Sequence, residues 1–211
     1  MSHQLPHPIV YLITPGKAAP ATFETDRRLI LDTTRRAVSE GVTLVQLREK
    51  QLTARQLFEL AADAAAVTRG SETRLLVNDR FDIAMAAGAD GVHLPSDSLP
   101  ISVIREKVGP DMIVGVSTHS GEEIAAAAEQ GADFAVFGPV FDTPGKGPAK
   151  GIGELADVCL EAAGFPVVGL GSVDHSNFRS VIDAGAAGFA AIRSLNNPAS
   201  LSAIMQVLRN E

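Results

Sequence analysis

Gln46, Arg48 and Lys50 stand at alternate positions at the end of an apolar run that begins at Leu44. A strand turns alternate side chains to one face, so the three share a side and Val45 and Leu47 take the other. A buried guanidinium with an ammonium beside it is costly unless an anion meets them. The chemistry expected here is therefore the binding of an anion.

Other short apolar runs also end in polar groups. Asn78 and Asp79 follow one, although Asp79 would equally suit the N-cap of the next helix. Ser117 and His119 follow another, two residues apart, which makes His119 the candidate for proton transfer. His93 reads as a hydrogen-bonded interior residue, and His3, His7 and His175 have no comparable placement. Thr143 and Lys146 lie in 142–153, a stretch with four Gly, two Pro and two Lys. That composition suits a mobile active-site loop able to bring Lys146 onto an anion, or simply a flexible surface loop. Gly171-Ser172 and Arg193-Ser194 follow the last two runs. Gly171 would let the backbone approach an anion, and Ser172 and Ser194 could donate hydroxyls.

These residues need a scaffold. The chain has 211 residues, 45% hydrophobic and 20% charged, and carries a net charge of −7. That balance argues against nucleic acid or an anionic membrane as partner, and leaves phosphate binding to a local pocket. Cys159 is the one cysteine, in a helical pattern, and reads as a small core residue of a protein in a reducing compartment. No signal-like segment is visible in 1–8, an N-terminal tail, and no apolar stretch is long enough to span a bilayer. A cytoplasmic protein acting on small molecules is expected.

Apolar runs at 9–14, 42–48, 75–77, 91–94, 112–116, 133–137, 166–170 and 188–192 alternate with helical patterns. The helical patterns fall at 25–40, 53–69, 79–87, 100–108, 121–130, 152–163, 176–184 and 198–209. Gly88, Gly131 and Gly185 each stop a helix just before a strand. Eight such units imply a single closed (β/α)8 TIM barrel over 1–211; an open doubly wound sheet would need about five units. In that fold the residues after each strand gather at one end, where active sites lie. Loops after strands seven and eight often bind phosphate there, which pairs Gly171 and Ser172 with Arg193 and Ser194. Alanine-rich faces at 61–66 and 125–128 would pack inside the barrel or against a second subunit of a homodimer.

The succession Gln46-Leu-Arg-Glu-Lys50, Val77-Asn-Asp-Arg80, Gly88-Ala-Asp-Gly-Val-His-Leu94, Gly115-Val-Ser-Thr-His119 and Gly138-Pro-Val-Phe-Asp-Thr143 resembles the thiamine phosphate synthase/TenI family. The resemblance implies condensation of hydroxymethylpyrimidine diphosphate with thiazole phosphate, releasing pyrophosphate, with Mg2+. It implies that Gln46, Arg48 and Lys50 hold the pyrimidine and its diphosphate, with Asn78 and Asp79 at the diphosphate and metal. Ser117, Thr143 and Lys146 would contact the ligands, and Gly171 with Ser194 the thiazole phosphate.

Two departures from the family pattern bear on function. Ser98 stands where synthases usually carry a second metal-binding aspartate, with Asp97 one residue away as the possible substitute. Ser172 replaces a usual glycine. The Pro95-Ser96 form and His119 fit a TenI-type thiazole tautomerase, which aromatises a thiazole carboxylate phosphate without metal. A non-catalytic binder of thiazole or thiamine phosphates is the third reading. Arg48, Lys50, Asp79 and Lys146 favour the synthase, because a tautomerase meets no diphosphate.

Overall fold

The structure, a computed structural model, describes residues 5–210. Its eight strands are β1 (Ile9–Ile13), β2 (Leu44–Leu47), β3 (Arg74–Asn78), β4 (Gly91–Leu94), β5 (Ile113–Thr118), β6 (Phe134–Phe137), β7 (Val167–Leu170) and β8 (Gly188–Ala191). They close in sequence order into one parallel barrel. At the seam Val10 pairs with Phe189 and Tyr11 with Ala190. Any side chain at Gly188 would overlap the Ile9 backbone, so glycine there lets the two edges meet.

Around the barrel run α1 (Phe23–Glu40), α2 (Ala54–Thr68), α3 (Phe81–Ala87), α4 (Ile101–Val108), α5 (Gly121–Glu129), α6 (Gly151–Glu161), α7 (Phe178–Asp183), α8 (Arg193–Asn196) and α9 (Pro198–Arg209). Thr53 and Gln56 form a capping box that starts α2. Gly41 and Gly88 take left-handed backbone to end α1 and α3. Helix α8 is absent from the sequence reading, which places one helix after strand eight. Pro198 disfavours helical backbone at Asn197, which is extended and caps α9 instead. The four residues before it close a separate turn.

Strand residues are apolar on both sides because each side is covered. Ile9, Tyr11, Ile13, Leu44, Leu76, Ile113, Phe134, Val136, Val168 and Ala190 fill the barrel. Their neighbours Val10, Leu12, Val45, Leu47, Leu75 and Val77 pack outward against the helices. Leu5 is buried with the interior set, so this part of the expected 1–8 tail is packed; residues 1–4 lie outside the described residues. Ala61, Ala64 and Ala65 are buried against the sheet, so that part of the alanine face serves the barrel itself. Cys159 is half-buried, and burial pushes its thiol up to about 11, as for an inert packing residue. Among the described residues no helix is long and apolar enough to cross a membrane.

Candidate active site

The carboxyl ends of the strands form one rim, and its floor is built from large rings. Tyr11, Phe134 and His93 pack together, with centroids 5.6 Å apart for Tyr11–Phe134 and 5.7 Å for Tyr11–His93. A side chain on Gly115 would overlap the Phe134 ring, so glycine makes room for this plug. Gln46 belongs to the same layer: it is 1% exposed and donates its amide to the Tyr11 hydroxyl at 2.6 Å.

Arg48 and Lys50 are placed differently from the simple alternation. Strand β2 ends at Leu47, so Arg48 is only half-buried and Lys50 is exposed in a turn. The expectation of a fully buried guanidinium is thereby corrected. Arg48 still lies close to the interior, since its charge helps hold His93 neutral. Between them Glu49 is 3% exposed and accepts the N–H groups of Gly16 and Ala18 at 3.2 and 2.9 Å. Sequence reasoning missed this residue. Its signal was a carboxylate on the Leu47 side of the alternation, between two cations. It fastens the loop after β1 beside Arg48, so closely that a side chain on Gly16 would lie 3.3 Å from the guanidinium.

Asp79 follows β3 with φ 63, a strained conformation for a non-glycine residue. That backbone keeps it out of the helix expected at 79–87, which begins at Phe81 with Arg80 as N-cap and no side-chain cap. The capping alternative for Asp79 is therefore removed. Its carboxylate is exposed and accepts the Ser98 hydroxyl at 2.7 Å. Asp97 is exposed beside Ser98. Arg80 grips Asp82 at 2.8 and 2.6 Å, and the Asp79 charge adds to the field that keeps it protonated. No group of three His, Cys, Asp or Glu side chains among the described residues is arranged to hold a metal.

Ser117 lies 2.9 Å from His93 Nε2, while His119 follows β5 and is exposed. His119 Nδ1 is 2.7 Å from the Gly138 carbonyl, which can only accept. Nδ1 therefore carries the proton, and in the neutral ring Nε2 keeps its lone pair.

Strands β6, β7 and β8 contribute a hydrogen-bonded chain. Arg193 Nη2 donates to Ser172 Oγ at 2.9 Å, and Ser172 Oγ lies 3.1 Å from Thr143 Oγ1. Thr143 in turn donates to the Phe141 carbonyl at 2.8 Å, so its lone pair receives the Ser172 proton. Ser194 donates to the Val173 carbonyl at 2.7 Å. Both serine hydroxyl protons expected to face an anion are thus engaged within the protein. What these loops offer an anion is Arg193 and the amino end of α8, whose first N–H groups have no partner inside the helix. Gly171 has φ 122, and a Cβ there would sit 2.7 Å from Pro139 Cα, so no other residue fits without displacement. Ser172 also has positive φ, at 45, which gives a physical reason for a glycine preference at its position.

The segment 142–150 is the loop after β6, since α6 takes over at Gly151, and residues 144–149 are exposed throughout. Lys150 pairs with Glu154 at 3.0 Å. Among the described residues no carboxylate lies within ion-pair distance of Arg48, Lys50, Lys146 or Arg193. A groove of about 330 Å3 between α5 and α6 has Glu122 and Glu161 but no cation in its lining, so it is no rival as an anion site.

A closed (β/α)8 barrel whose mouth carries cations without acidic partners is the architecture of an enzyme that handles phosphorylated small molecules. The chain belongs to the thiamine monophosphate synthase family, whose model matches residues 10–195. It is 42% identical over 161 residues to a thiamine-phosphate synthase of Caldanaerobacter subterraneus subsp. tengcongensis, covering 75% of each chain. It is 37% identical over 207 residues to one from Haloarcula marismortui, covering 95% of each. Among solved structures, the thiamine phosphate pyrophosphorylase from Pyrococcus furiosus superposes with a TM-score of 0.81 at 29% identity, covering 97% of both chains.

Proposed function

We propose that the protein is a thiamine-phosphate synthase, joining hydroxymethylpyrimidine diphosphate to thiazole phosphate with release of pyrophosphate. The observation that carries this reading is the set of cations, Arg48, Lys50 and Lys146, without an acidic partner among the described residues, on one rim of a chain with net charge −7. Cations without acidic partners at the mouth of an otherwise acidic chain give a polyanion a local positive field to enter.

In the reaction the bond between the pyrimidine methylene carbon and a diphosphate oxygen breaks, leaving both bonding electrons on the oxygen. The pyrimidine ring stabilises the resulting cation, and the thiazole nitrogen attacks it. The protein therefore needs no nucleophile; its task is to hold two anions and stabilise the charge growing on the leaving group. Arg48, Lys50 and Lys146 take the diphosphate, with Ser117 and Asn78 beside them. Gln46 lies in the floor under the pyrimidine. Arg193 and the backbone N–H groups around Gly171, Ser172 and Ser194 hold the thiazole phosphate, with Thr143 bracing Ser172.

The donor set also suits Mg2+, which binds through one or two carboxylates together with substrate phosphates. Asp79 would hold it, with Ser98 or Asp97 beside it. When bound, the ion would neutralise negative charge on the departing diphosphate.

Thiazole tautomerisation is the second reading, favoured by the outward lone pair that the Gly138 carbonyl leaves on His119 Nε2. One set of assays separates the two. The protein is incubated with both synthase substrates, with and without Mg2+, and separately with the unaromatised thiazole carboxylate phosphate. Metal-dependent pyrophosphate release that survives His119→Ala and is abolished by Asp79→Ala is expected. No pyrophosphate release, with ring aromatisation lost in His119→Ala, would replace the synthase with the tautomerase.

A further inference from the structure

His93 is 3% exposed and wedged against Tyr11 and Phe134, with centroid distances of 5.7 and 6.2 Å. Its Nε2 lies 2.9 Å from Ser117 Oγ, and its Nδ1 is buried without a hydrogen-bond partner. Burial, reinforced by the nearby Arg48 charge, pushes its pKa down to about 3, so the ring is neutral at working pH. A neutral imidazole has one N–H and one lone pair, and only two arrangements satisfy the contact. If Ser117 donates to Nε2, the N–H sits on Nδ1 and is stranded in the interior. If Nε2 carries the proton and donates to Ser117, only a lone pair is stranded on Nδ1. Orphaned buried N–H groups are rarer than under-satisfied acceptors, which favours the second arrangement.

The polarity of Ser117 then follows. Its oxygen accepts from His93, so its own proton must go elsewhere. Ser117 is on β5 next to the rim, is partly exposed, and its hydroxyl has no other hydrogen-bond partner among the described residues. We infer that His93 is a positioning residue that fixes Ser117 as a hydrogen-bond donor facing the barrel mouth. A group that can only accept, such as a phosphate oxygen, is welcomed there. A ligand ammonium at the same point meets a proton and is rejected. The orphaned nitrogen is what secures this direction, because reversing the contact would strand an N–H.

The inference rests on the reading that diphosphate lies over Ser117, and the tests separate the two. Nitrogen-15 NMR of histidine-labelled protein reads the tautomer directly: His93 is expected with a protonated Nε2 and a bare Nδ1, unchanged from about pH 5 to 8. A protonated Nδ1 overturns the inference whatever the enzyme does. Calorimetric titration with pyrophosphate and Mg2+ then measures the consequence. His93→Leu should weaken pyrophosphate about tenfold, the worth of one hydrogen bond to a charged group. It should have less than about a twofold effect when Ser117 is already alanine, and His93→Gln, whose amide can donate to Ser117, should recover most of the loss. Equal weakening by His93→Leu in both backgrounds overturns the inference, because the ring would then act through packing. Should the unaltered protein bind no pyrophosphate, the diphosphate reading falls, and the tautomer resonance still decides the role of His93.

Discussion

Ser98, just beyond β4, donates its hydroxyl to Asp79, just beyond β3, across 2.7 Å. One carboxylate oxygen is thereby hydrogen-bonded at the place where a second carboxylate would have repelled it and drawn in a cation. Ser98→Asp should raise the affinity of the substrate-free protein for Mn2+, used as a spin probe for Mg2+, by about tenfold. Without metal the variant should melt lower than the parent, since two close carboxylates repel, and Mg2+ should restore it. Unchanged Mn2+ binding by electron paramagnetic resonance would remove this pair from the metal's position.

Lys146 is exposed and makes only a backbone turn contact to Thr143. Lys146→Ala should leave stability within about 0.5 kcal/mol, as surface changes usually do. Its effect should fall on turnover: loss of a cation that meets the leaving group only as charge develops should lower kcat by about a hundredfold with little change in KM. A variant with normal turnover would make 142–150 an ordinary surface loop.

Gly171→Ala places a Cβ 2.7 Å from Pro139 Cα and 2.8 Å from Val140 N, in backbone with φ 122. Destabilisation of about 2 kcal/mol is expected, with weaker thiazole phosphate binding as the loop moves off β6. Gly147→Ala, which meets nothing within 4 Å, is the control and should be silent. Denaturant melts and a thiazole phosphate titration compare the two.

Glu40 at the end of α1 accepts the Ser202 hydroxyl from α9 and pairs with Arg209 at 3.1 Å. The Ser202 contact, aided by Arg209, holds its carboxyl below the ordinary 4.5. A carboxylate lowered on folding contributes stability that is complete above its unfolded value and disappears as pH falls through the folded one. Glu40→Gln should therefore cost about 1 kcal/mol at neutral pH, and the cost should fade as acid protonates the folded carboxyl. An equal cost at neutral and acid pH would show that the contact is not linked to protonation.

The barrel was legible because its signals are local. Apolar runs, caps and glycine stops mark each unit, and β4 and α9 fall at their expected residues. The limits of the site residues were harder to read. Arg48 and Lys50 follow a strand that stops at Leu47, and no local rule fixes that end. Glu49 turns inward to meet N–H groups of Gly16 and Ala18, more than thirty residues earlier, a contact created by the pairing of β1 with β2. The Ser98–Asp79 bond likewise depends on two loops of neighbouring strands. The hydroxyls of Ser172 and Ser194 were legible as positions, but their direction was not, because carbonyls and Arg193 supplied by other loops decide it.

The seam between β1 and β8 has a consequence during synthesis. All seven preceding strands must leave the ribosome before Phe189 and Ala190 can reach Val10 and Tyr11. Until then one edge of β1 has unpaired N–H and C=O groups, and the interior faces of Ile9 and Tyr11 lack part of their cover. A nascent protein stalled before Gly188 is thus an open sheet with two adhesive edges. Emergence of β8 converts it from an aggregation hazard into a closed vessel.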